Sequence, residues 1–181
     1  MATYKEIHGT VIETVTSDPS NPVNGQVWYN STDQVLKGFT SNPAGAWSTG
    51  GNLNTGKGNV MGAGIQTAAL KFGGRSPDVA NTEQYDGTSW TEVADLNSVR
   101  RNSGSSGTTT AALAFGGFTT PPSSNGPSAL NEQWDGSSWT EVADLNTERY
   151  GMGSVGTTTA SLSSGGLDAT GQVAINESWN G

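Results

Sequence analysis

Residues 83 to 97 read Glu-Gln-Tyr-Asp-Gly-Thr-Ser-Trp-Thr-Glu-Val-Ala-Asp-Leu-Asn, and residues 132 to 146 read Glu-Gln-Trp-Asp-Gly-Ser-Ser-Trp-Thr-Glu-Val-Ala-Asp-Leu-Asn. Thirteen of the fifteen positions are identical, and the two differences, Tyr85 against Trp134 and Thr88 against Ser137, are conservative. Identity of this length inside one chain marks a duplication and therefore a repeat architecture. The phase extends outward from the doubled phrase. Trp47, Trp90 and Trp139 are spaced 43 and 49 residues apart, and Leu53-Asn54, Leu96-Asn97 and Leu145-Asn146 follow them at one offset. A basic residue stands four positions after each leucine (Lys57, Arg100, Arg149). The pairs Gly73-Gly74, Gly116-Gly117 and Gly165-Gly166 keep the same spacing. Glu83, Glu132 and Glu177 come next, each two residues before an aromatic: Tyr85, Trp134 or Trp179.

Each unit is expected to hold four short strands. The first lies near residues 61–66, 103–108 and 151–156, and the second runs into the glycine pair. The third ends at the aromatic, and Asp86-Gly87 or Asp135-Gly136 turns it into the fourth, Ser-Trp-Thr-Glu-Val. Alternation along that strand puts Trp90 and Glu92 on one face and Val93 on the other. A four-stranded unit of 43 to 49 residues that cannot bury its faces alone is the signature of a propeller blade. The expected fold is all-β.

Composition agrees with this. The chain has 26 glycines and only 13% charged residues, roughly twice and half the usual frequencies. Such glycine content suits many tight turns, and six tryptophans suit a packed interior. The net charge of −8 leaves no basic stripe for phosphates, so nucleic acid is not an expected partner. The absence of cysteine excludes disulfides, thiolate metal sites and cysteine nucleophiles. The start, Met-Ala-Thr-Tyr-Lys-Glu-Ile-His, has no apolar core of a secretory signal, and no apolar run is long enough to span a bilayer as a helix. A soluble chain without membrane insertion is expected.

Residues 1–45 stand outside the repeat and are expected to form a separate segment, with residues 46–181 forming the blades. Ile7, Val11, Ile12 and Val15 suit one extended strand over residues 5–16. Asp18-Pro19-Ser20-Asn21-Pro22 breaks regular structure. Residues 25–39 then read as a β-hairpin around Ser31-Thr32-Asp33-Gln34. An isolated hairpin is marginal in water, so it should pack on something else.

The blade pattern resembles the kelch repeat: an apolar strand ending in a glycine pair, a Glu-x-aromatic-Asp strand, a tryptophan strand, then Leu-x-x-x-Arg. It covers residues 47–181. Kelch blades usually carry a proline after the leucine, where this chain has Asn54, Asn97 and Asn146. The wording Ala-Ala-Leu-Ala-Phe-Gly-Gly followed by the doubled phrase resembles repeats of virion appendage proteins of marine tailed phages. The segment from Ile7-His8-Gly9-Thr10 through Trp28-Tyr29-Asn30 is similar to their particle-attachment ends. The resemblance implies a non-enzymatic tail fibre, appendage or capsid-bound fibre located in the virion. It implies other virion proteins as partners, a homotrimer, and host attachment through a surface glycan or protein. Ile7, Val11, Ile12, Val27, Trp28 and Tyr29 are the attachment candidates that follow from it. The alternatives are a cellular kelch-type interaction module and a carbohydrate-active enzyme.

Galactose oxidase, a kelch-type enzyme, brings a copper site with histidines, tyrosines and a cysteine cross-link. Here there is no cysteine and only His8, outside the repeat. The carboxylates Glu83, Glu92, Asp95, Glu132, Glu141 and Asp144 recur at equivalent positions, as structural groups do. No catalytic residue, cofactor or metal ligand is therefore expected. The glycine pairs read as close backbone approaches or positive-φ positions, and the recurring tryptophans as inter-blade core. The loop after the glycine pair is longer in the second unit, and insertions in repeat proteins collect on the binding face. Phe118, Thr119, Thr120, Pro121 and Pro122 are the receptor-loop candidates, with Phe118 expected to be exposed. Counting strands gives a fourth strand at Trp47, two full units, and three strands after residue 151. Three blades are too few for a propeller. The chain is thus expected to be part of a longer repeat protein, or else to combine its blades with those of other chains.

Overall fold

In the computed structural model, residues 4–7, 10–39, 45–120 and 125–181 are described. They contain eighteen strands and no helix, and the chain divides into two compact units, Met1–Ser48 and Thr49–Gly181.

The first unit is one four-stranded sheet: β1 (Tyr4–Ile7), β2 (Thr10–Val15), β3 (Val27–Asn30) and β4 (Val35–Gly38), in that order. The single strand expected over residues 5–16 is two strands that pair antiparallel, Ile7 opposite Thr10. β2 and β3 run parallel, which the broken Asp18–Pro22 crossover allows, and β3–β4 is the expected hairpin. Alternation along β3 buries Trp28 and Asn30 and leaves Val27 and Tyr29 half-buried.

The second unit carries the repeats. The first is β5 (Met61–Ile65), β6 (Ala68–Phe72), β7 (Thr82–Tyr85) and β8 (Trp90–Val93), an antiparallel meander. β9 (Arg100–Arg101) links it to the second, whose four strands are β10 (Gly104–Gly107), β11 (Ala112–Phe115), β14 (Asn131–Trp134) and β15 (Trp139–Val142). Between β11 and β14 the long loop adds β12 (Phe118–Thr119) and β13 (Gly126–Pro127), and these join β9 in a small sheet. The third repeat has three strands, β16 (Gly153–Gly156), β17 (Ser161–Ser164) and β18 (Asn176–Trp179), with the outer edge of β18 unpaired. The first strands stand side by side in the order β5, β10, β16, and no closed propeller is present among the described residues.

The strand expected at Trp47 is not formed. Residues 45–53 have no ladder partner, and the Trp47 side chain is fully exposed at 102%. A strand exists through its hydrogen-bonded neighbour, and none is offered to this segment among the described residues.

The core lies between repeats. Trp139 of the second packs its ring on Phe72 of the first (4.8 Å, edge-on) and on Trp134 (5.4 Å), within a cluster that includes Leu96, Ala112 and Ala114. Its indole N–H donates to Thr82 Oγ1 at 3.0 Å. Trp139 is thus inter-repeat core, and burying such a ring contributes on the order of 3 kcal/mol or more. A second cluster, Leu113, Phe115 and Met152, joins the second repeat to the third.

Candidate functional site

The residues that recur in phase converge on one construction between consecutive repeats. Arg100 and Arg149 are fully buried, each on the connector leading out of one repeat. The Arg100 backbone carbonyl accepts from Gly74 N–H (3.1 Å), and its guanidinium reaches forward to Leu130 O (2.7 Å), Gly116 O (3.3 Å) and the Glu132 carboxylate. Arg149 repeats this: its carbonyl accepts from Gly117 N–H (2.8 Å), and its side chain reaches Ile175 O (2.8 Å) and lies 3.1 Å from Glu177. The other oxygen of each glutamate accepts two bonds from the asparagine after the recurring leucine. Asn97 N and Nδ2 lie 2.7 and 2.8 Å from Glu132 Oε2, and Asn146 N and Nδ2 lie at the same distances from Glu177 Oε2. The asparagine at these positions therefore has a role that proline, without an N–H, cannot fill.

The first repeat builds the same node differently. Asn54 N and Nδ2 bond Glu83 Oε2 at 2.8 and 3.0 Å. Lys57, in the arginine position, donates instead to Asn81 Oδ1 (3.1 Å), and the buried Lys71 on β6 supplies the cation 3.9 Å from Glu83. Burial pushes the Lys71 ammonium below the usual lysine range, opposed by Glu83. Each carboxylate thus lies within ion-pair distance of one cation and accepts two bonds from one asparagine, while Glu177 Oε1 and Lys71 Nζ make no hydrogen bond.

The glycine pairs are fixed by the same construction. Gly73 and Gly116 have φ of 60° and 61°. A Cβ there would lie 2.5 Å from Arg100 O or 2.7 Å from Arg149 O, so only glycine lets the connector pass. At the hairpin tips, Asp86 Oδ1 accepts from Thr88 N and Ser89 N at 2.8 Å, and Asp135 Oδ1 from Ser137 N and Ser138 N at 2.8 Å. These backbone donors hold Asp135 at a pKa of about 2 and depress Asp86.

In the first unit the attachment candidates are dispersed. Trp28 is buried, and its indole N–H donates to Asp18 Oδ1 at 2.9 Å. Asn30 Nδ2 (2.8 Å) and Lys37 Nζ (2.7 Å) donate to the same carboxylate, which sits at a pKa of about 2 chiefly because of Lys37. This cluster ties the Asp18–Pro22 crossover to the hairpin. Ile12, Val27 and Tyr29 are half-buried; Ile7 and Val11 lie on β1 and β2. The exposed apolar side chains are others: Val23 (66%), Val35, Leu36 (61%) and Phe39. A hairpin strand with apolar residues on both faces was the available sequence signal.

The receptor-loop candidates also differ from expectation. Phe118 is not exposed; the Arg101 guanidinium lies 4.4 Å over its ring, and Tyr150 packs edge-on at 5.3 Å. Arg101 in turn pairs with Asp78. Thr119 is fully buried, Thr120 is half-buried, and Pro121 and Pro122 lie outside the described residues. The loop is folded down because β12 pairs with β9 and β13, an additional ladder that satisfies its backbone. Among the described residues no group of three or more His, Asp or Glu is placed to hold a metal ion, and no helix is long and apolar enough to cross a membrane.

Among the described residues one cleft lies beside β18, lined by Phe115, Asn131, Leu145, Ser161, Ser163 and Trp179, and a more open one lies along β5 and β6, lined by Leu53, Met61, Ala63, Ile65, Leu70 and Trp90. No protein-family model matches the chain, and comparison with curated proteins gives no match either.

Proposed function

We propose that this chain is a non-enzymatic structural protein of a tailed-phage virion, built of kelch-like propeller blades carried on an N-terminal attachment sheet. The observation that carries the reading is the fate of the charged residues. Glu83, Glu132 and Glu177 are each held in a node with a cation and an asparagine, which supports reading the repeats as a scaffold whose variable parts are surfaces. The kelch-like phrase and the appendage-like N-terminal wording support reading that scaffold as part of a virion fibre or appendage. In this reading the first unit binds other virion proteins, copies of the chain associate, and the blades face outward toward a host surface glycan or protein.

The attachment edge that fits is the outer strand β4, whose exposed apolar side chains Val35 and Leu36 lie on opposite faces, with exposed Phe39 just beyond it. Leu36→Asp, on a side chain 61% exposed, leaves the fold intact and abolishes incorporation into particles. Incorporation at the normal level by a folded Leu36→Asp protein overturns the attachment role of this edge.

A further inference from the structure

The first repeat departs from the other two at three positions, and the three departures meet. Where the second and third repeats have Arg100 and Arg149, the first has Lys57; where they have Leu130 and Ile175, it has Asn81; where they have Ala114 and Ser163, it has Lys71. Arg100 and Arg149 each serve a glutamate and a backbone carbonyl, that of Leu130 or Ile175. In the first repeat Lys71 stands beside Glu83, and Lys57 donates to the Asn81 side chain instead (Nζ to Oδ1, 3.1 Å). Asn81 Nδ2 in turn donates to Glu92 Oε1 at 3.1 Å. An amine, a carboxamide and a carboxylate are thus linked in sequence, with the carboxylate on the amide nitrogen.

This set has a chemistry that the arginine repeats lack. Arginine stays charged, whereas lysine can release a proton and attack a carbonyl carbon as the free amine. Asn81 Cγ lies about 1.2 Å beyond Oδ1 and therefore within roughly 4.3 Å of Nζ. A small swing of the flexible lysine stem closes this to the roughly 3–3.5 Å from which attack occurs. The geometry points to an intramolecular isopeptide bond between Lys57 Nζ and Asn81 Cγ, formed with loss of ammonia and catalysed by Glu92. The Lys57 ammonium gives one proton to solvent, and the amine forms the Nζ–Cγ bond. Glu92 takes a second proton from Nζ and delivers it to Nδ2, to which it is already hydrogen-bonded. The Cγ–Nδ2 bond then breaks, and the departing ammonia takes up a proton from solvent. The net change is ammonium plus carboxamide to secondary amide plus ammonium ion, with no oxidant and no co-reactant.

Charge and topology favour the product. Lys71 is 4% exposed, and its ammonium makes no hydrogen bond. Burial holds it below the usual lysine range, Glu83 opposes this, and the charge of Lys57 lowers it further. Turning Lys57 into a neutral amide removes that like charge. The bond ties the segment before β5 to the residue before β7 and closes a loop that contains β5 and β6. A covalent tie of this kind restricts the unfolded chain and so holds the first repeat together.

The purified chain is measured by intact mass spectrometry under denaturing conditions, and the expected mass is that of the sequence less one ammonia. An Asn-Gly succinimide, as at Asn24-Gly25, would give the same loss, so the site is read from a tryptic digest. Cleavage after Lys57 is lost, and residues 38–71 are joined to residues 76–100 in one branched peptide. Lys57→Arg and Asn81→Leu, which restore residue types of the other repeats, each keep the full sequence mass and give residues 76–100 unbranched. Glu92→Gln, folded by circular dichroism, also keeps the full mass. A folded wild-type chain that has the full sequence mass and is cut after Lys57 overturns the inference. A Glu92→Gln chain cross-linked as fully as wild type overturns the role assigned to Glu92.

Discussion

Replacing Arg100 by methionine removes one of the two fully buried arginines among the described residues. Its guanidinium is inaccessible to solvent and serves Leu130 O, Gly116 O and Glu132. Without it, Glu132 keeps Asn97 on Oε2, but Oε1 becomes a buried, unpaired anionic oxygen at 2% residue exposure. Breaking a buried pair from one side costs about 3–5 kcal/mol, a large part of the roughly 5–15 kcal/mol that holds a domain together. With a urea slope of about 2 kcal/mol/M, the midpoint should fall by about 2 M, followed through tryptophan fluorescence. The Arg100→Met/Glu132→Leu double variant removes both charges and should recover at least about 1 kcal/mol relative to Arg100→Met alone, since a buried pair is often replaceable by apolar side chains. In the Glu92→Gln background, where the amide to Asn81 does not form, Lys57→Met at the equivalent position in the first repeat should cost only about 1 kcal/mol, because Lys57 then makes one bond to a neutral acceptor. An Arg100→Met protein within about 1 kcal/mol of wild type, or a double variant equal to the sum of the single ones, refutes the node as the link between repeats.

Gly116→Ala forces a Cβ to 2.5 Å from Met152 and 2.7 Å from Arg149 O at φ 61°, and should cost about 1–3 kcal/mol in a thermal melt. Gly126→Ala, with nothing within 4 Å of the added carbon, should lie within about 0.5 kcal/mol of wild type. Asp18 is the acid-sensitive point of the first unit. Its folded pKa of about 2 lies below the ordinary 3.8, so the stability it gives is present above pH 3.8 and is lost as pH falls toward 2. An isolated first unit that is folded at pH 7 should lose Trp28 shielding across that window, and Asp18→Asn should flatten the pH dependence there.

The repeat was legible because its anchors are local and in phase. Glu132, Asn97, Arg100 and the glycine pairs recur at fixed spacing, and the structure gives them one shared construction. Less legible was anything that depends on what lies across space. The cation for Glu83 comes from Lys71 on β6, because the first repeat has lysine where the others have arginine, and no spacing announces that exchange. The Phe118 loop read as a free insertion because two-residue strands such as β9, β12 and β13 carry no alternation. Their pairing is set by Arg101 and Tyr150 around one ring. Trp28 looked like a contact residue because an aromatic in a hairpin has the same composition signal whether it faces a partner or its own crossover. The Asp18 bond decides for the latter.

The functional account is tested most directly by where the chain is found. Tailed-phage particles from the culture that carries this gene, purified by density gradient, are assayed by quantitative peptide mass spectrometry for residues 76–100, which include part of the doubled phrase. The account predicts that these peptides band with the capsid proteins at a fixed ratio to them. Peptides confined to the host-cell fraction, with none in intact particles, would contradict it.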